Sequence, residues 1–363
     1  MKYLAVLGRQ SEISVAELEA LFSNVRVIKN GKLAEFDSEV KPDIDRLGGS
    51  LKIAEVTGEK PLDLLTDLPD GKITVGVSDY SEKASKKTAI MEALKLKKIL
   101  VRHGRSVRVV ENKDATLSTA TSLHNGLSGR KERKIELIKV DNDWCRVIGV
   151  QDIDVYAKRD QARPARDAKV GMLPPKLAQI LINLCGVLPE GSCVLDPFCG
   201  TGVLMQEALL MKYRAYGTDI SERMVEYSKR NLEHFGFSDY ALEVGDATNY
   251  QWHQKIDAIA CEGYLGRPMS QPPVDIKLKI EKQECGEIIL GFLNNVSGQI
   301  KSGTPVILAA PAWLREDGYY SRLEILDEII KMGYNVSNKT REGLLYCREG
   351  QVVARDIIIL RKI

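Results

Sequence analysis

No apolar run in this chain of 363 residues approaches the roughly 20 that a membrane-spanning helix needs, which excludes a helical integral membrane protein. The opening Met-Lys-Tyr-Leu-Ala-Val-Leu-Gly turns polar too soon for a secretory leader, so a cytoplasmic location is expected. Cysteine pairing is missing as well. The seven cysteines include no Cys-x-x-Cys spacing, which argues for free thiols in a reducing compartment and against a disulfide frame or a metal site. Neither GxGxxG nor a Gly-Lys-Ser/Thr loop occurs where a nucleotide turn is otherwise evident, so dinucleotides and triphosphates are disfavoured as ligands. What remains, 44% hydrophobic and 28% charged residues, is the composition of an ordinary globular chain with room for more than one domain.

One stretch organises the rest: Val194-Leu-Asp-Pro-Phe-Cys-Gly-Thr-Gly-Val203. The apolar run 192–195 reads as a buried strand that Asp196 closes, and Gly200 and Gly202 form a tight turn opening a helix over 203–211. Glycines there let a ligand approach the backbone, with helix-terminal amides pointing at it. About 20 residues after Gly200, Tyr216-Gly-Thr-Asp219 ends a second strand with an acid, in the place of a ribose-holding carboxylate in a doubly wound sheet. Val244-Gly-Asp246 repeats the arrangement after another helix. From residue 192 onward strand and helix alternate, and the chain closes on a hairpin from Tyr346 to the apolar run after Asp356.

The first half reads differently. Residues 3–8, 25–28, 32–36 and 51–57 are predicted strands, and Ser14-Val-Ala-Glu17 has the form of a capping box for a helix carrying Leu18, Leu21 and Phe22. After a strand at 72–77, residues 81–104 form one long helix with Ile90, Ala93, Leu94, Leu96 and Leu100 inward. Lys95, Lys97 and Lys98 fall largely on the other side, as a polyanion contact or as a solvated face. Residues 83–169 hold 21 Lys and Arg against 11 Asp and Glu, although the whole chain is only +2, which points to a polyanionic partner for this segment. Residues 152–169, with Pro164 and little apolar content, read as a basic interdomain linker.

Three strand-end acids with a glycine turn at the first resemble the S-adenosylmethionine site of class I methyltransferases. The wording Asp-Pro-Phe-Cys-Gly-Thr-Gly resembles the group that methylates exocyclic amines of nucleobases. Arg163-Pro, then Pro174-Pro-Lys-Leu-Ala-Gln, just upstream, is similar to THUMP-containing methyltransferases of the 2-amino group of tRNA guanine. The strand, long helix, strand, helix and paired strands before residue 150 resemble the THUMP module itself.

The resemblance implies an α/β protein with a C-terminal class I methyltransferase, a Rossmann-like doubly wound sheet, over residues 174–363. Before it would come a ferredoxin-like α+β unit (1–60), a THUMP-like RNA-binding unit (61–155) and the linker (156–173). It implies S-adenosylmethionine held by Asp196, Phe198, Gly200, Gly202, Asp219, Ile220, Asp246 and Ala247. It also implies tRNA contacts from Lys95, Lys97, Lys98, Arg159, Arg163, Arg166 and Lys176, with no membrane and no obligatory protein partner. Where such enzymes carry Asp/Asn-Pro-Pro-Tyr after the fourth strand, this chain has Glu262-Gly-Tyr264-Leu, so Glu262 and Tyr264 become the catalytic candidates. An adenine amine methyltransferase acting on DNA or ribosomal RNA, and an RNA-binding protein that keeps the cofactor site without catalysis, stay open as alternatives.

Overall fold

The computed structural model describes residues 1–66, 68–166, 172–337 and 344–363, which form two compact units, Met1–Tyr156 and Ala157–Ile363. The first unit runs β1 (Lys2–Leu7), α1 (Ser11–Leu21), β2 (Ser23–Ile28), β3 (Leu33–Asp37), β4 (Ser50–Val56), α2 (Asp63–Thr66), β5 (Ile73–Asp79), α3 (Lys86–Arg102), β6 (Val107–Val109), α4 (Thr119–His124), β7 (Lys134–Val140) and β8 (Asp143–Val150). Its eight strands make one sheet in the order β2-β3-β1-β4-β8-β7-β5-β6. The segments 1–60 and 61–155, expected as separate units, meet along β4 and β8, which pair antiparallel from Lys52 opposite Val150 to Val56 opposite Cys145. Joining two sheet edges satisfies backbone groups that two separate sheets would leave open. Each segment still keeps a core of its own, one around Leu18, Phe36, Leu47 and Ile53, the other around Leu65, Val75, Ala93, Leu100 and Leu137.

Local details depart from the expected elements for identifiable reasons. Helix α1 starts before the proposed capping box, with Gln10 as its N-cap; Ser14 lies inside the helix and donates to the Gln10 carbonyl. Glu17 is buried and turned to another loop, where it accepts from the Gly48 and Gly49 amides at 2.9 and 2.8 Å. In α3 the buried stripe is Ala89, Ala93, Leu96 and Leu100, while Leu94, one residue off that line, is half exposed. The helix start is capped by Ser85, whose side chain accepts from the Thr88 amide while the Thr88 hydroxyl accepts from the Ser85 amide.

The basic stretch expected as a linker is helical over α5 (Ile153–Gln161), because Asp152 caps it, its Oδ1 accepting from the Asp154 and Val155 amides. Residues 167–171 of that stretch lie outside the described residues.

The second unit continues with α6 (Pro175–Asn183), β9 (Cys193–Asp196), α7 (Val203–Leu210), β10 (Arg214–Asp219), α8 (Glu222–His234), β11 (Tyr240–Val244), β12 (Ala258–Glu262), α9 (Asp275–Ser297), β13 (Pro305–Leu314), β14 (Tyr320–Arg322), α10 (Leu326–Lys331), β15 (Tyr334–Val336), β16 (Leu345–Tyr346) and β17 (Val353–Lys362). Its sheet order is β11-β10-β9-β12-β13-β17-β15. The first five strands are parallel, and β17 enters antiparallel between β13 and β15. Chain direction reverses its winding between β9 and β12, so a crevice opens at their carboxyl ends, the place where doubly wound sheets bind ligands. Residues 320–322 form the short strand β14, which pairs antiparallel with the end of β13, Ala312 opposite Arg322 and Leu314 opposite Tyr320. The core beneath the crevice is a continuous apolar cluster including Tyr216, Ile259, Phe292, Leu308 and Trp313.

Candidate active site

Strand β9 delivers Asp196 to the crevice, 3% exposed, its Oδ1 accepting from the Phe198 amide at 3.2 Å. The turn that follows needs left-handed backbone at Gly200 (φ +50°) and Gly202 (φ +79°). Gly200 donates its amide to Asp219 Oδ2 at 2.9 Å, and Asp219 Oδ1 accepts from the Ser221 amide at 2.9 Å. The acid ending β10 therefore holds the glycine turn of β9 in shape, a role its position in the sequence does not reveal. The β11 end is tied in by the Gly245 amide, which donates to the Asp219 carbonyl, and Asp246 Oδ1 accepts from both the amide and the hydroxyl of Thr248.

These residues line one cavity of about 1140 Å³. Asp196, Phe198, Gly200, Asp219, Ile220, Asp246 and Ala247 all contribute to its wall, as do Glu262 and Tyr264. Gly202 is the exception among the expected cofactor residues. It lies behind the cavity, where a Cβ would stand 2.9 Å from Ser228 Oγ and 3.3 Å from Ser228 Cα, so its glycine serves the close approach of α8 rather than a ligand.

The electrostatics select a class of ligand. Burial, and then the neighbouring carboxylates of Asp219 and Glu262, push the Asp196 carboxyl well above the ordinary range. Burial likewise raises Asp219. Carboxylates brought this close in a half-enclosed site repel one another, and a cation between them relieves that repulsion. A glycine cradle, crowded acids and the apolar walls of Phe198, Ile220 and Ala247 therefore fit a ligand carrying positive charge on an otherwise apolar and nucleoside-like body. The volume exceeds the roughly 300–1,000 Å³ usual for one small molecule, leaving room for a second planar group.

Glu262 ends β12 and meets Arg355 of β17, whose Nε donates to Glu262 Oε1 at 2.7 Å. Burial raises the Glu262 carboxyl and the guanidinium beside it pulls it back. The turn after Glu262 lacks both prolines of the Asp/Asn-Pro-Pro-Tyr pattern, and a clamp supplies stiffness in their place. Buried Glu281 of α9 accepts from the Arg267 amide at 3.1 Å and from Arg267 Nη1 at 3.0 Å, and Gly266 (φ +81°) passes so near that a Cβ would sit 2.6 Å from Glu281 Oε2. Tyr264, 37% exposed, stands at the mouth of the cavity.

The basic residues expected to meet RNA separate into two groups. Lys95 and Lys98 are exposed on α3, Lys97 is partly buried there, and Arg166 is exposed. Lys176 is partly buried at the start of α6, and that burial lowers its ammonium. Arg163 must be withdrawn as a phosphate contact, because it is 3% exposed and its Nη2 donates to Asp160 Oδ1 at 2.9 Å. Arg159 is also turned inward, to Glu207 Oε2 at 3.1 Å, where burial lifts the Glu207 carboxyl to about 7 against the pull of that guanidinium. Charge density alone could not distinguish these internal pairs from the solvated lysines. The segment is drawn in because Asn231 of α8 bonds the amide and carbonyl of Ala165 and also the Thr201 carbonyl. Arg355 and Arg267 are site residues that sequence reasoning misses. The one signal for Arg355 is a charged pair, Arg355-Asp356, interrupting the otherwise apolar run from Val352 to Leu360.

A parallel sheet wound from β9 in both directions, an antiparallel β17 beside its last parallel strand, and acids at three successive strand ends make this a class I methyltransferase. Sequence comparison agrees: the family described as "Methyltransferase domain" matches residues 188–316, and one described as "DNA methylase" matches residues 119–230. The chain belongs to the tRNA (guanine(10)-N2)-dimethyltransferase family. It is 31% identical over 292 residues to that enzyme of Pyrococcus abyssi, covering 75% of this chain and 80% of the relative. The enzymes of the same name from Methanothermobacter thermautotrophicus and Methanocaldococcus jannaschii are 32% identical over 207 residues and 27% over 334. The Methanothermobacter match spans 58% of its relative's length and 55% of this chain, the Methanocaldococcus match 88% and 86%. Among the described residues no helix is long and apolar enough to cross a membrane, and no cluster of His, Cys, Asp and Glu could hold a metal.

Proposed function

We propose that this protein transfers a methyl group from S-adenosylmethionine to the exocyclic 2-amino group of a guanine in tRNA. The observation that carries the proposal is the convergence of Asp196, Asp219, Asp246 and Glu262 on one cavity at the switch point of the sheet. The names of the relatives support guanine and tRNA as substrate. Asp196, Phe198 and Gly200 would hold the methionine part, Asp219 and Ile220 the ribose, and Asp246 and Ala247 the adenine. When bound, S-adenosylmethionine supplies an electrophilic methyl on sulfur. The guanine amine is a poor nucleophile because its lone pair is delocalised into the ring. Glu262 accepts a hydrogen bond from the amine as the nitrogen pyramidalises and then takes its proton, while Tyr264 stacks on a base drawn out of its helix.

Asp219→Ala removes both the ribose partner and the pin on Gly200, so calorimetry should show S-adenosylmethionine affinity weaker by about 1–3 kcal/mol. Unchanged affinity would take Asp219 out of the site.

Residues 61–155 resemble a THUMP module, and their exposed lysines would grip the RNA backbone, an interaction that positions without selecting sequence. The test is incubation with tRNA and labelled S-adenosylmethionine, followed by nucleoside mass spectrometry mapped to position. Label in N2-methylated guanosine is expected. Label in N6-methyladenosine would favour the adenine alternative, and cofactor binding without transfer the non-catalytic one. In the same assay Lys95→Ala/Lys98→Ala should raise the tRNA concentration needed and reduce the salt slope of binding by about one unit for each phosphate no longer neutralised. Identical binding at every salt concentration would make the lysine face a solvated surface.

A further inference from the structure

We infer that Arg355 reads the base that enters the cavity, donating to the 6-carbonyl of guanine while Glu262 accepts from its ring and exocyclic N–H groups. The inference rests on the guanine 2-amino reading above and adds the residue that would select guanine.

Geometry carries it. Arg355 sits two strands from Glu262, across β13, where Glu262 is level with Ala309 and Arg355 with Pro311. Neighbouring strands lie about 4.8 Å apart, so the guanidinium must extend across roughly 10 Å to meet the carboxylate, over a strand that carries the small Ala309, Ala310, Pro311 and Ala312. Its Nε is bonded to Glu262 Oε1, and among the described residues neither Nη1 nor Nη2 has a hydrogen-bond partner, although the side chain is 5% exposed and lines the cavity. Glu262 Oε2 is likewise without a partner among the described residues. A guanidinium bonded at one edge only, on a residue that lines a cavity, can serve as a recognition element for a ligand there.

The pair presents carboxylate acceptor and guanidinium donor side by side. Guanine offers the complement along one edge: amine N–H, ring N1–H, then the O6 acceptor. Adenine has a ring acceptor at N1, which would face the carboxylate, and no neighbouring donor pair. A structural role alone, in which Arg355 only neutralises Glu262, would not require Arg355 to line the cavity.

The experiment compares single-turnover methylation of two tRNA transcripts that differ only at the methylated position, guanosine in one and 6-thioguanosine in the other. Thioguanosine keeps both N–H donors and replaces the carbonyl oxygen by sulfur, a weak acceptor. The parent enzyme should prefer guanosine by about tenfold to a hundredfold, the discrimination expected of a good side-chain to base contact. Arg355→Met should lose most of its guanosine rate and bring the ratio of the two rates near one. Because that variant leaves Glu262 without its cation, the comparison is repeated between Glu262→Gln and Glu262→Gln/Arg355→Met, with retained S-adenosylmethionine affinity as the check on folding. If removing Arg355 slows both transcripts by the same factor, or leaves the ratio unchanged, Arg355 only positions Glu262 and the inference falls. A parent enzyme that methylates neither transcript overturns the guanine 2-amino reading itself, a result distinct from an active parent whose selectivity ignores Arg355.

Discussion

Glu262→Gln should methylate tRNA about 10² to 10³ times more slowly than the parent, while binding S-adenosylmethionine with unchanged affinity. The amide keeps the size of the side chain and one acceptor, so the turn on β12 and its bond with Arg355 survive in outline. What it loses is the ability to take a proton. In the proposed reaction the ionised form is the active one, and burial raises its pKa while Arg355 lowers it. The parent rate should therefore fall as the pH drops through the raised pKa of Glu262. Arg355→Met should move that acid limb to higher pH, since it removes the group holding the carboxyl down. Single-turnover rates from acid to neutral pH check both statements. A Glu262→Gln enzyme as fast as the parent, or an acid limb that Arg355→Met leaves in place, would exclude Glu262 as the proton acceptor.

The largest stability effect is expected in the first unit, at Lys52. This lysine is 2% exposed in β4, and its Nζ uses all three donors, on Leu117 O at 2.8 Å, Ser122 Oγ at 2.9 Å and Glu136 Oε1 at 2.5 Å. Glu136 of β7 also accepts from the hydroxyls of Ser78 and Ser122, at 2.5 and 2.6 Å. The network joins strands from both halves of the eight-stranded sheet and holds the loop before α4. Lys52→Met leaves the fully buried Glu136 carboxylate uncompensated, which typically costs about 3–5 kcal/mol. Lys52→Met/Glu136→Gln should regain part of this, because a neutral amide can stay buried on the two serines. Two units need not unfold together, so amide hydrogen exchange of β5 and β7 is the appropriate measurement. Protection factors in those strands equal to the parent's would show that the pair contributes nothing.

The cavity wall was legible to the extent that its residues follow local rules. A strand ending in an acid, a glycine pair that only left-handed backbone explains, and a helix after it are all properties of neighbouring residues, and their regular return at Asp219 and Asp246 marks a doubly wound sheet. Buried ion pairs follow no such rule. Arg159, Arg163 and Arg166 look alike in the chain, yet two are turned into the protein and one is exposed, because Asp160, Glu207 and Asn231 stand where the fold has placed them. Gly200 and Gly202 look equally suited to a ligand, and the difference between them is which one α8 approaches.

By itself, then, the sequence determined the strands and helices from β9 to β13, the class I methyltransferase pattern after residue 192, and the acids at three strand ends, since each depends on periodicity or on residues a few positions apart. The tertiary structure decided that strands from both sides of residue 60 share one sheet, that Asp219 pins the turn of β9, that Glu281 clamps a turn without prolines, and that Arg355 meets Glu262 across 93 residues of chain. Those pairings join segments whose separation in sequence carries no signal of their separation in space, and only packing of the sheet and its helices brings the partners within hydrogen-bonding reach.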